Sequence, residues 1–282
     1  MIKLLTISFL AVLTLSLTLP TAAIAAPNEN ANEKAHERAT FQIPSDAVEI
    51  TPGIYSLGTI ESNGVILEGI MSYHHRNGHN GGPGGGDDPI GDPTDSSSCY
   101  SYVFGKPLQW ASQENWVVNP ENNDGLSDQQ VLETLEDGFS SWDEAAGTTI
   151  LGSGSITSDT LVADTQTTDG INEIYFADIS EPGVIAVTIT WGVANGPPFA
   201  RGLVEMDQVY DDVSFDFAID GNPSKMDLGS VGTHEIGHGL GMGHTSLDDL
   251  CSKQTMYPYT TNGSTDERSL EAGDIAGIQN VY

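Results

Sequence analysis

Three histidines and one glutamate carry the chemistry legible in this chain: His234, Glu235, His238 and His244, set in His-Glu-Ile-Gly-His-Gly-Leu-Gly-Met-Gly-His. On a helix, His234 and His238 stand one turn apart on the same face, so both imidazoles reach one ion. Glu235 projects beside that face, where a carboxylate can take a proton from water on the ion. Gly241 offers backbone of positive φ that ends the helix and turns the chain back, bringing His244 to the same ion. Three neutral imidazoles and one open position describe a catalytic rather than a structural zinc site. The H-E-x-x-H spacing alone arises by chance in about one such chain in a hundred, and with Gly241 and His244 in roughly three in a hundred thousand. Of the seven histidines, the three within residues 99–282 all lie in this motif. Such a centre activates water for hydrolysis, with Glu235 taking the proton and returning it to the leaving group.

The motif needs a helix and a scaffold around it. Asp227 caps a helix through Val231 to about Gly239. Upstream, Ser127-Asp128-Gln129-Gln130 is a capping box, and Val131, Leu135, Phe139 and Trp142 follow on one face of a helix ended by Gly147. A third helix is predicted from about Glu271 to Tyr282, with Ile275 and Ile278 facing inward. Residues 171–177, 184–191 and 203–210 are β-rich runs bounded by Gly, Pro and Asp. This mixture points to an α+β fold, a mixed sheet packed on helices.

The rest of the chain falls into pieces. Lys3, the apolar run Leu4–Leu19 and the small residues to Ala26 read as a secretory signal peptide, residues 1–25. In residues 26–75, two apolar runs flank Glu61-Ser62-Asn63-Gly64, a hairpin signal. So small a hairpin must lean on something larger. Residues 76–98 are Gly, Pro, Asp and Ser with almost no large apolar side chain, and read as a linker. Residues 99–282 hold all four Trp and form the main domain. His74, His75 and His79 beside the linker can bind metal or cap the site, although solvated histidines are the commoner outcome. Nine Lys+Arg against 40 Asp+Glu leave a formal charge of −31. That balance argues against nucleic acid and against anionic membrane surfaces as partners. No segment after the leader is apolar enough to anchor the mature chain in a bilayer. The sequence sets no oligomeric state, and a monomer is the default.

The eleven-residue motif resembles the zinc-binding motif of the metzincin clan of metallopeptidases, and within it the matrixins. Four features carry the likeness: HEIGHGLGMGHT, Met-Tyr-Pro at 256–258, the closing segment Leu270–Gln279, and the helix ending in Trp142. The likeness covers residues 104–282. It implies a metzincin-like catalytic domain, with a twisted mixed sheet, an active-site helix and a C-terminal helix. It also implies zinc ligands His234, His238 and His244, Glu235 as general base and acid, and Met256 as a turn residue underpinning the site without binding the ion. By the same resemblance a protein or peptide substrate adds to an edge strand, for which residues 184–190 are the candidate, an ordinary buried strand being the equal alternative, and Pro258 and Tyr259 line the pocket. The Pro-Arg-Cys-Gly latency segment of many animal matrixins is missing here, and residues 99–282 hold no spare His for a second, structural zinc. In an exported protein, Cys99 and Cys251 favour one disulfide over free thiols, with a Cys99–zinc latency bond the less favoured reading. Asp164, Asp169, Asp178, Asp207, Asp211 and Asp212 gather around the strands as a site for structural Ca2+ or as solvated acid.

The resulting expectation is a secreted, extracellular zinc endopeptidase in which residues 26–98 act as a pro-segment or a detachable accessory hairpin. Two alternatives stay open: an exported zinc-holding binding protein on the same scaffold, and a hydrolase of a non-peptide amide or ester. An intact Glu235 favours an enzyme, because a pure binding site needs no general base.

Overall fold

The computed structural model describes residues 40–76 and 96–282. The expected signal peptide, residues 26–39, and 77–95 of the linker with His79 lie outside the described residues. Short strands β1 (Thr40–Phe41) and β2 (Val48–Thr51) precede a long hairpin, β3 (Ile54–Ser62) and β4 (Val65–Arg76). Next come β5 (Ser101–Tyr102), β6 (Trp116–Asn119), helix α1 (Asp128–Ala146), β7 (Gly154–Ile156), β8 (Asn172–Ile179), β9 (Val184–Val193) and β10 (Gly202–Asp211). The chain closes with β11 (Phe217–Ala218), β12 (Met226–Asp227), α2 (Leu228–Gly239), β13 (Met242–Gly243), β14 (Tyr259–Thr260) and α3 (Ala272–Gln279). No helix of the described residues is long and apolar enough to cross a membrane.

The local signals act as their chemistry requires. The Ser127 side chain accepts from the Gln130 amide while Gln130 reaches back to the Ser127 amide, and Gly147 closes α1 in the left-handed region at φ 71°. Val131, Leu135, Phe139 and Trp142 are the buried stripe of α1. Asp227 caps α2 by accepting from the Ser230 amide at 3.0 Å. Asn63 and Gly64, with φ 52° and 78°, make the turn between β3 and β4 that Asn-Gly favours. The third helix is shorter than expected and stops at Gln279. Its buried face is Gly273, Asp274, Gly277 and Ile278, so Ile275 lies only partly inward.

The main sheet runs β2-β3-β4-β9-β10-β8-β6-β7, with β1 pairing β8 and β14 pairing β4. From β2 to β10 neighbours are antiparallel; β10, β8, β6 and β7 are parallel. One face carries the larger core, in which Trp116, Leu135, Trp142, Ile174, Met206 and Ile236 bind the helices to the sheet. The other face buries Leu67, Met71, Tyr73, Val187, Ile189 and Trp191.

Residues 184–190 are not an edge: β9 pairs with β10 on one side and with β4 on the other, from Glu68–Gly192 to His75–Val184. The hairpin that had to lean on something larger leans here, and with the described residues of 99–282 it forms one compact unit, Arg38–Tyr282. The linker bounds also shift. Arg76 belongs to β4, and Ser96–Ser98 form a 3-10 turn.

Candidate metal centre

Every residue of α2 is buried. So intimate a fit needs glycine, because a Cβ on Gly237 would stand 2.4 Å from Sδ of Met256 and 2.6 Å from the Trp142 ring. Met256 therefore packs directly beneath the helix that carries the motif. Two indoles hold α2 by its carbonyls: Trp142 Nε1 donates to Thr233 at 2.8 Å and Trp110 Nε1 to Gly239 at 3.0 Å. Gly241, at φ 95°, turns the chain after the helix and returns His244 to it.

His234, His238 and His244 converge, with ligand atoms within 4.8 Å of one another. Each presents Nδ1 to a backbone carbonyl: His234 to Thr255 at 2.7 Å, His238 to Met242 at 2.8 Å, His244 to Pro52 at 3.3 Å. A carbonyl only accepts, so each Nδ1 carries the proton and each Nε2 keeps its lone pair. Burial, the largest effect, holds all three imidazoles well below the usual histidine range and so neutral. Nε2 of His238 and His244 are 3.2 Å apart, and Nε2 of His234 is buried without a hydrogen-bond partner. Two lone pairs facing at that distance repel unless a cation joins them. The separation is close to the edge of about 3.3 Å expected between ligands of a tetrahedral zinc. The donor set fits zinc.

Glu235 is fully buried. Its Oε2 accepts from Thr188 Oγ1 at 2.6 Å, whereas Oε1 has no hydrogen-bond partner. Burial pushes its carboxyl up to about 8, with the Thr188 hydrogen bond pulling the other way. Thr190 Oγ1 donates to the His238 carbonyl at 3.2 Å, so β9 grips α2 through alternate threonines.

Sequence reasoning undervalued His74. It is fully buried rather than solvated, stacked on His234 with ring centroids 3.8 Å apart, and its Nδ1 lies 3.5 Å from Oε1 of Glu235. Burial disfavours charge on both groups. His75 is half-buried and donates its amide to the Pro258 carbonyl at 3.2 Å. Tyr259 pairs with His75 across β14 and β4. No role of their own was expected for Thr188, Pro52 or Asp274. Asp274 accepts from the amides of Thr255 at 2.7 Å and Met256 at 3.1 Å, fixing the turn below the histidines. The closing segment quoted for its family likeness was the one signal for that residue.

Cys99 and Cys251 form a disulfide with Cα atoms 5.4 Å apart, so neither thiol is available to a metal. The six aspartates disperse. Asp164 and Asp169 meet Glu205, which sequence reasoning did not include, with carboxylate oxygens within 4.8 Å of one another. Asp207 lies beneath, accepting from the amides of Asp164 and Glu173. Asp178 binds the Thr40 hydroxyl, Asp211 the amides of Val213 and Ser214, and Asp212 the amide of Asn123.

A family model described as Matrixin matches residues 109–282. Matrilysin of Rattus norvegicus is 41% identical over 63 residues, 22% of either chain. Metalloendoproteinase 5-MMP of Arabidopsis thaliana is 28% identical over 197 residues, 65% of this chain and 48% of that one. Metalloendoproteinase 2-MMP of the same plant is 44% identical over 57 residues, 20% of this chain and 14% of that one. The chain spans less than half the length of each of these relatives.

Proposed function

The chain belongs to the matrixin family, and from that premise we propose that it is a secreted zinc-dependent endopeptidase. In this reading His234, His238 and His244 hold the metal and Glu235 is the general base and acid. The observation that carries it is the set of three inward Nε2 lone pairs with an unpartnered carboxylate oxygen of Glu235 beside them.

When bound, zinc supplies a Lewis acid that makes water nucleophilic near neutral pH and polarises a carbonyl. The chain's own residues do the rest. Thr188 holds Oε2 of Glu235, so Oε1 is the atom left to receive a proton and pass it to the leaving amine. A cation nearby favours the ionised carboxylate that burial alone disfavours. The three carbonyls hold the imidazoles in one tautomer, and Met256 supports the helix from below. Pro258 and Tyr259, two and three residues after Met256, wall the pocket in this reading.

Secretion is supported by the leader-like pattern of residues 1–25 and by the disulfide, which persists in oxidising compartments. A structural Ca2+ at Asp164, Asp169 and Glu205 is supported by the buried, unpartnered oxygens of Asp164 and Glu205.

The test is cleavage of casein by the full chain and by the chain cut between residues 77 and 95. Activity lost on chelation and restored by zinc supports the reading. No cleavage by either form, with one zinc bound, sinks it.

A further inference from the structure

The strand that pairs with β9 beside the metal centre comes from outside the family domain. The matrixin match begins at residue 109, and β4 is residues 65–76. Along β9 it runs antiparallel; along β14, just past the Met256 turn, it runs parallel, with Tyr259 opposite His75 and Thr260 opposite Arg76. An extended peptide captured by strand addition would take the place of β4 and satisfy the same side of β9. Pleating then sets which side chains meet the site. Ile70, Ser72 and His74 pair with Thr190, Thr188 and Ala186 of β9, the two threonines being those that grip α2. Met71 and Tyr73 turn to the opposite core.

His74 is thereby delivered to the reaction space. Neither ring nitrogen has a hydrogen-bond partner although the side chain is fully buried. Buried polar nitrogens are costly unless something takes their lone pair or proton. With His234 and Glu235, His74 brings ligand atoms within 4.8 Å of one another. The turn before β3 grips the centre as well: the Pro52 carbonyl faces Nδ1 of His244, and a Cβ on Gly53 would stand 3.0 Å from that ring.

We propose that β4 is a self-blocking strand, lying where a peptide substrate would lie, and that His74 supplies a fourth imidazole to the metal in place of water. This rests on the metallopeptidase reading above. Latency here needs no thiol, and both cysteines are already paired. Release follows a cut in the Gly-, Pro- and Asp-rich stretch after β4, which frees the hairpin from covalent attachment to the metal-binding chain.

The experiment loads the full chain with Co2+ in place of zinc and records its visible spectrum with and without acetohydroxamate. Casein cleavage by the zinc form is measured in parallel. His74→Ala removes the donor; His74→Phe removes it but keeps a ring to stack on His234; a third form is cut at a protease site engineered within residues 77–95. The full chain is expected to show a spectrum indifferent to acetohydroxamate and slow cleavage. All three altered forms are expected to respond to the probe; the cut form is expected to cleave about tenfold faster or more, whereas the two His74 variants, in which β4 still pairs with β9, are expected to cleave slowly. A full chain that binds acetohydroxamate as His74→Phe does, or cleaves as fast as the cut form, overturns the proposal. If the spectra change as expected and no form cleaves, the fourth ligand stands and the peptidase reading fails. If all forms cleave equally, the peptidase stands and the plug fails.

Discussion

The Thr188 hydroxyl donates to Oε2 of Glu235 across 2.6 Å, joining β9 to the carboxylate proposed as general base. Thr188→Val keeps the shape and deletes the donor. Because that hydrogen bond lowers the Glu235 pKa, its loss raises it. The acidic limb of the pH–rate profile is expected to move to higher pH, with kcat/KM down by about tenfold at neutral pH and KM little changed. An unmoved acidic limb would show that Thr188 does not set the carboxylate's protonation.

Asp274 holds the turn beneath the histidines through the amides of Thr255, Met256 and Glu271. Asp274→Asn leaves one acceptor where two oxygens served three donors. The expected loss is about 1–3 kcal/mol of stability, with weaker zinc retention because the Thr255 carbonyl orients His234. Thermal melts and zinc titration check both. Wild-type melting and zinc affinity would remove Asp274 from the site's support.

Burial pushes Glu173 and Glu205 up to about 7, with Asp164 and Asp169 adding repulsion. Their folded values exceed the unfolded 4.5, so the stability they contribute is fully present below about 4.5 and lost as pH rises through about 7. With the zinc site loaded throughout, the calcium-free protein is expected to melt lower at pH 8 than at pH 6. Added Ca2+, which wants these carboxylates ionised, is expected to raise the melting temperature more at pH 8. Equal calcium shifts at both pH values would contradict a cation at Asp164, Asp169 and Glu205.

How legible all this was depended on range. The capping box of α1 and the His234–His238 spacing are local, so each could be read within a turn or two of chain. The hairpin was local as well, through Asn63-Gly64. Its destination was not, because pairing β4 with β9 joins residues more than a hundred positions apart and leaves no periodic trace. His74 was misjudged for the same reason. Next to a glycine-rich run it reads as solvated, and only the register with Ala186 turns it towards Glu235. Asp164 and Glu205, on a loop and a strand, likewise meet only in the fold.

The disulfide ties Cys99, just after the linker, to Cys251 across 152 residues. A loop that long puts its contribution at about 3–5 kcal/mol. Replacing both cysteines by serine is expected to lower the melting temperature and to leave the zinc content near one per chain. Loss of zinc together with unchanged melting would mean that the bridge positions the metal centre rather than stabilising the fold.

The central claim, that Glu235 works beside a metal held by three histidines, is tested most directly by Glu235→Ala in the cut form. Casein cleavage and zinc per chain would be measured on the same sample. The account expects about one zinc retained and cleavage reduced by several orders of magnitude. Cleavage at the wild-type rate with zinc in place would contradict it.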